Sequence, residues 1–473
     1  MPSATPLRMD AAMEPTGDRT SAPAQKGSRS EFTRMVSAFH ASYQSIVSDS
    51  LVGYYREELM GMEGFERDKQ MFDYTIKGGQ CFRGVLVYAA TLELLEKHGV
   101  KPSAERVKQI MSVGWALEIV QAAVLVADDI MDESHTRRGK ACWHKVDRVH
   151  AYNDVFKLEH FAFRVLKRHL KGAELFAISQ LFHGIILKTT FGQGLDLECS
   201  SVIKELSVKW DASRARTQLS MDTYNRIIKY KTSFYTFNLP FKAALVLANH
   251  STQRTLPPHA TAPSSSRRPS NHHTEKVAEN QEEDADDEDV ELDVRDKPKL
   301  FEDTMPPQSR VNSETKSRGR AFMEERVNVL IHEREDAANS SLLFRLGMEL
   351  GEYFQVQDDF LDVYGDPKKT GKIGTDIDQR KLTWLMATAV QKADEKTLQS
   401  LVLPRGSEDR VKTVKTIFKN LNLRKEYLSY EKAMCEKIRS LANDSGKSAI
   451  LPKKTVLLIL DKIYASRVKK EAA

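Results

Sequence analysis

The chain has 473 residues, a length that allows one large domain or two to three ordinary ones. Hydrophobic residues make up 41% and charged residues 29%, so a sizeable core can form and global disorder is excluded. Net charge is only +5, and the basic residues are scattered without aromatic interleaving, so nucleic acid is not an expected partner.

Residues 1–30 are rich in Ser, Ala, Pro and Thr and have no apolar signal core. They read as a disordered tail. Asp10, Glu14 and Asp18 argue against an acid-poor transit peptide, so a cytoplasmic location is expected, with a mitochondrial address as the alternative. One catalytic domain is expected over 31–250 and 321–473. It opens with "FTRMVSAFHASYQSIVSDSL", whose apolar residues recur at three- and four-residue intervals as on one face of a helix. The most apolar run, Met111 to Ala127, is interrupted by Glu118 and Gln121 and ends in Asp128-Asp129. It is marginal in length for a bilayer and reads as a core helix, so no transmembrane segment is expected. "FAFRVLKRHL" repeats the helical spacing.

From Ser251 to Arg320 the composition changes. Glu282 to Asp289 holds seven acids in eight positions, too little apolar surface to offset the entropy of ordering. A disordered acidic insertion is expected over 251–320, either a tolerated surface loop or an interaction segment. Helical spacing resumes in "SLLFRLGMELGEYF" and "TVLLILDKIYASRVKK". No run alternates as a strand does, so the fold class is all-α. Cys81, Cys142, Cys199 and Cys435 lie far apart without CxxC spacing and read as free thiols.

Two acidic motifs carry the chemistry. "VADDIMDESHTRRG" places Asp128, Asp129 and Asp132 at the end of an apolar helix, with Asp128 and Asp132 on one face. "FQVQDDFLDVYGD" repeats this with Asp358, Asp359 and Asp362. Acids four apart often mark a solvated face, but the preceding turns here are too apolar for an exposed helix. Like charges at a buried helix end are costly unless a cation lies between them. Mg²⁺ fits, because it takes a few carboxylates and completes its octahedron with water and phosphate oxygens. No His or Cys stands at ligand spacing, which disfavours zinc. Arg137 and Arg138 follow directly and suit bidentate phosphate binding. Lys372 and Lys381 lie in the loop after the second motif. The set describes a Mg²⁺-bridged diphosphate held between two helices.

The pair "DDIMDESHTRRG" and "DDFLDVYGDPKKTGKIGTD" resembles the aspartate-rich motifs of eukaryotic farnesyl diphosphate synthases. "GGQCFRG", "GQGLDL", "YKTSFYTFNLP" and "FQVQDD" extend the match in the family's order. The resemblance implies an isoprenoid synthase helical bundle around a central active-site cavity, assembled as a homodimer. It also implies three Mg²⁺ ions, with Mn²⁺ able to substitute. Carried over to this sequence, Asp128, Asp132 and Asp358 would be direct Mg²⁺ ligands, supported by Asp129, Asp196, Asp359 and Asp362. Arg137, Lys231 and Lys372 would hold the allylic diphosphate, and Lys381 would assist. Gln80, Arg83, Gln121 and Arg138 would hold isopentenyl diphosphate. Thr232, Gln355 and the carbonyl of Lys231 would face the allylic cation.

Departures from the family matter as well. Ala123 and Val124 stand where such synthases carry two aromatics that floor the product cavity. This predicts geranylgeranyl diphosphate beside farnesyl diphosphate, unless a bulky residue on a neighbouring helix closes the floor. Gln80 replaces a Lys and Phe82 a polar residue. The short basic tail of the family has its counterpart in Arg467, Lys469 and Lys470, although the chain runs on beyond them. A terpene synthase on this scaffold, or a non-catalytic partner subunit, are the competing readings.

Overall fold

A computed structural model describes residues 23–59, 61–255, 342–371, 374–403, 408–444 and 451–471, and the region expected as an acidic insertion lies almost wholly outside them. Helix α1 (Pro23–Ala41) begins within the segment expected as a tail, with Pro23 at its first position, where a missing N–H costs no helical hydrogen bond. Helices α2 (Asp49–Glu57), α3 (Phe65–Ile76), α4 (Phe82–Lys97) and α5 (Ala104–Met131) follow. A small hairpin comes next, β1 (Thr136–Arg137) against β2 (Lys140–Ala141), the only paired strands among the described residues. Then come α6 (Trp143–Val146), α7 (Ala151–His169), α8 (Gly172–Val208), α9 (Ala212–Gln218) and α10 (Met221–Ile228). A π-helical segment, Lys229–Asn238, leads into α11 (Leu239–Thr255). The rest is α12 (Leu342–Tyr364), α13 (Pro367–Thr370), α14 (Trp384–Lys392), α15 (Glu395–Leu401), α16 (Glu408–Asn420), α17 (Leu423–Asp444) and α18 (Lys453–Lys470).

Helix α5 lies at the centre. Its N-cap Ser103 accepts from the Arg106 amide at 3.1 Å, satisfying one of the orphan donors of the first turn. Every residue from Ile110 to Ala123 is buried, Glu118 and Gln121 included, which explains why this stretch is so apolar. Each fully buried Val, Leu or Ile there contributes about 1.5–3 kcal/mol. Among the described residues α5 is the one helix long and apolar enough to cross a membrane, and 83% of its apolar window is buried inside the bundle. Helix α4 crosses it at Gly84 and Gly114, where a Cβ on either glycine would press on the other's carbonyl oxygen at 2.7–2.8 Å.

One hydrophobic core surrounds α4, α5, α7, α8 and α11. A second gathers α9, α10 and α14 to α17, with Tyr427 stacked on Phe360 at 3.8 Å. Helix α12 contributes its first half to one core and its second half to the other. The last helix, α18, has no side-chain cap of its own. Buried Glu93 of α4 takes that place, accepting from the amides of Lys454 and Thr455 at 2.8 Å each.

Candidate active site

The two acidic motifs meet across a cavity of about 1090 Å³. Helix α5 ends at the first, because Asp132 is its C-cap and the chain turns into the left-handed region at Glu133 (φ 53°). The Asp132 amide donates to the Asp128 carbonyl at 2.8 Å, which holds both carboxylates on the cavity side. The second motif lies in the last turns of α12, where Asp358, Asp359 and Asp362 also line the cavity.

Basic side chains fill the space between the acids. Lys231 bridges Asp196 at 2.6 Å and Asp128 at 3.3 Å. Lys381 bridges Asp132 at 2.6 Å and Asp196 at 3.2 Å. Arg137 pairs with Asp129 at 2.6 Å and with Asp128 at 3.5 Å. Burial alone would raise Asp128, but Lys231, Lys381 and Arg137 outweigh it and hold the carboxyl well below its usual range. Asp132 goes the other way, raised first by burial and then by the Asp128 charge. Both lysines are raised despite their burial, because Asp196 and Asp128 favour the charged form. Among the described residues no three acids converge as a preformed metal cage.

Lys231 owes its position to the π-helical segment, whose extra residue per turn turns side chains that an α-helix would place elsewhere. Two glycines press on that segment from neighbouring helices. A Cβ on Gly192 of α8 would meet the backbone of Lys231 and come within 2.6 Å of the Tyr230 carbonyl carbon. A Cβ on Gly351 of α12 would meet Ser233.

The sequence model of the Polyprenyl synthetase family matches residues 66–260 and 320–421, passing over the acidic stretch. A farnesyl pyrophosphate synthase of Gallus gallus is 30% identical over 404 residues, which is 84% of this chain and 83% of that one. The farnesyl pyrophosphate synthase of Zea mays is 30% identical over 421 residues, 86% of this chain and 92% of that one. The chain belongs to the polyprenyl synthetase family. It is a prenyltransferase. The T. brucei farnesyl diphosphate synthase complexed with risedronate has the same fold, with a TM-score of 0.63 and 22% identity over 93% of this chain and 100% of that one.

Of the other residues singled out in the sequence of this polyprenyl synthetase, Gln80, Arg83, Gln121, Arg138, Thr232 and Gln355 line the same cavity, and Lys372 lies outside the described residues. Arg83 donates to the Tyr235 hydroxyl at 2.8 Å and to Thr236 at 2.9 Å. Arg138, held at φ 54°, donates to the last carbonyls of α3, those of Thr75 at 3.0 Å and Ile76 at 3.3 Å. Gln121 is buried with its Oε1 unpartnered, and Arg83 Nε is likewise a buried donor without an acceptor. Gln80 sits exposed at the rim. Ala123 and Val124 line the cavity, as do Val155 and Phe156 of α7 and Ile186 and Thr190 of α8.

Of the tail cations, Arg467 pairs with Glu431 at 2.6 Å and with Glu471 at 2.8 Å. Lys462 and Ser466 of the same helix, α18, line the cavity. Sequence reasoning also missed Tyr224, Gln193 and Gln379. The Tyr224 hydroxyl donates to Asp359 at 2.6 Å, Gln193 donates to Asp128 at 3.3 Å and Gln379 to the Asp132 carbonyl at 2.9 Å. Gln193 lies inside the "GQGLDL" stretch and was within reach; no local pattern marks the other two.

Proposed function

We propose that this synthase condenses dimethylallyl and geranyl diphosphates with isopentenyl diphosphate to give farnesyl diphosphate, and extends part of it to geranylgeranyl diphosphate. The observation that carries this reading is the pair of carboxylate motifs facing one cavity with Arg137, Lys231 and Lys381 among them. Arg83, Gln121 and Arg138 line that cavity too, and the buried Arg83 Nε is a donor left without an acceptor, which supports a second diphosphate substrate over a terpene synthase.

The donor set is carboxylate oxygen alone, the chemistry that suits Mg²⁺. Asp128, Asp132 and Asp358 would hold it, with Asp196, Asp129, Asp359 and Asp362 behind them. When bound, Mg²⁺ neutralises charge on the diphosphate leaving group.

The chain's own residues do the rest. Lys231, Lys381 and Arg137 stabilise the negative charge that grows on the diphosphate as the allylic C–O bond breaks. Thr232 and Gln355 present oxygen atoms to the allylic cation. The double bond of isopentenyl diphosphate attacks that cation, and the proton lost from its C2 goes to the departed diphosphate. Apolar walls at Ala123, Val124, Val155 and Ile186 keep water from the cation.

A homodimer is part of this reading. Tyr152 and Phe156 of α7 and Leu187 and Phe191 of α8 are 59–69% exposed, an apolar face that a second copy would cover. Incubation with labelled isopentenyl diphosphate and each allylic diphosphate, followed by product chromatography, tests the reaction. Absence of any prenyl product would end the proposal. Light scattering of the purified chain tests the dimer.

A further inference from the structure

A threonine hydroxyl both donates and accepts, and only its acceptor side can stabilise a carbocation. A chain of hydrogen bonds decides which side Thr232 turns to the cavity. Asp359 Oδ2 accepts from the Tyr224 hydroxyl at 2.6 Å and from the Trp384 backbone N–H at 2.8 Å. Asp359 Oδ1 accepts from Gln355 Nε2 at 2.9 Å. A carboxylate only accepts, so Gln355 must turn its NH₂ to Asp359 and its Oε1 the other way. That oxygen lies 2.7 Å from Thr232 Oγ1, so the threonine donates to it. The proton of Thr232 is thereby committed, and the lone pairs of Oγ1 are what remain for the cavity, which all four residues line. Tyr224, Asp359 and Thr232 are each no more than 5% exposed and Gln355 is half-buried, so solvent competes little for these hydrogen bonds.

We propose that Tyr224 is a positioning residue for allylic ionisation. It steers the Asp359 carboxylate, the carboxylate turns the Gln355 amide, and the amide leaves Thr232 with its acceptor face toward the allylic carbon. The inference rests on the function proposed above, in which Thr232 faces the cation. A tyrosine that served only to fill the second core would make the same packing contacts and have no reason to be coupled to Thr232.

The test compares steady-state rates with geranyl and isopentenyl diphosphates for the full chain and for Tyr224→Phe, Thr232→Val and the double variant. Tyr224→Phe should lower kcat about 10- to 100-fold, the loss expected when an outer support of a site residue is removed. Both KM values should stay within about twofold, since the interaction is made in the transition state. In the Thr232→Val background the same change should move kcat by less than about twofold, because the hydroxyl it orients is gone. Where Tyr224→Phe does not fold, 4-aminophenylalanine and 4-fluorophenylalanine at position 224 decide the matter. The first keeps a donor and should restore kcat; the second fills the space without donating and should not. An unchanged kcat, an equal loss in both backgrounds, a loss carried by KM, or equal rates for the two analogues would overturn the proposal. A wild-type chain that makes no prenyl product would overturn the function itself, and is distinguished by being read before any variant.

Discussion

Lys381 Nζ lies 2.6 Å from Asp132 although the two residues stand 249 apart in the sequence. With Lys231 on Asp196 and Arg137 on Asp129, it neutralises the first acidic motif from inside the protein. These cations make the buried acid cluster tolerable to the fold.

Chelation is therefore expected to leave the fold standing. With EDTA the melting temperature should fall by less than about 1 °C, a change under about 1 kcal/mol for a domain this large. Mg²⁺ together with inorganic diphosphate, at about 100 times Kd, should stabilise by about 2.7 kcal/mol and raise the melting temperature by roughly 3 °C. Differential scanning calorimetry checks both, and a large drop with EDTA would point to a structural metal.

Asp128→Ala and Asp358→Ala should each lower kcat at least about 100-fold, the scale of removing one group that stabilises developing charge. Far-UV circular dichroism should not change. A variant that kept more than about a tenth of the wild-type rate would take that carboxylate out of the metal set.

Gly192→Ala should cost activity out of proportion to its size. The added methyl would meet the backbone of Lys231, which cannot step aside as a flexible side chain would. Overpacking of this kind typically costs about 1–3 kcal/mol of stability. The π-helical segment would shift with it, so kcat should drop further than the melting temperature suggests. Normal turnover in this variant would mean that the segment's exact register is not needed.

Gln80→Lys should lower KM for isopentenyl diphosphate roughly tenfold, as about 1.4 kcal/mol of recovered charge-assisted binding would give. Gln80 is exposed at the rim, so an added ammonium has room there. KM for geranyl diphosphate should stay put. If KM for isopentenyl diphosphate does not fall, another cation at that end already does the work, with Lys462 the first to test.

Product length is expected to depend on Ala123 and Val124, which line the cavity. Ala123 is about 7 Å along α5 from Asp128, so a growing prenyl tail that runs down the helix passes it after the third isoprene unit. The wild type should release C20 as well as C15 diphosphate, and replacing both residues by Phe should return the output to C15. Phe156 also lines the cavity. Radio-chromatography of the wild type decides between them: a clean stop at C15 would assign the floor to α7 or α8 instead of α5.

The sequence by itself determined the helical class, the two carboxylate motifs and which of their members share a face. Those features are local. Asp128 and Asp132 meet because a helix repeats every 3.6 residues, and Arg137 follows by chain connectivity. It also marked Lys231, Thr232 and Gln355 through their motifs, but not how they are oriented. The clamp of Lys381 on Asp132, the π-helical turn wedged by Gly192 and Gly351, and the chain from Tyr224 through Asp359 and Gln355 to Thr232 were decided only by the tertiary structure. The pairing of Arg467 with Glu431 was likewise decided by the tertiary structure. Tyr224 and Asp359 are 135 residues apart, and Thr232 and Gln355 are 123 apart. No period or spacing along a chain encodes such a pairing, because the partner is chosen by which helices pack together and which buried polar groups must then find one another.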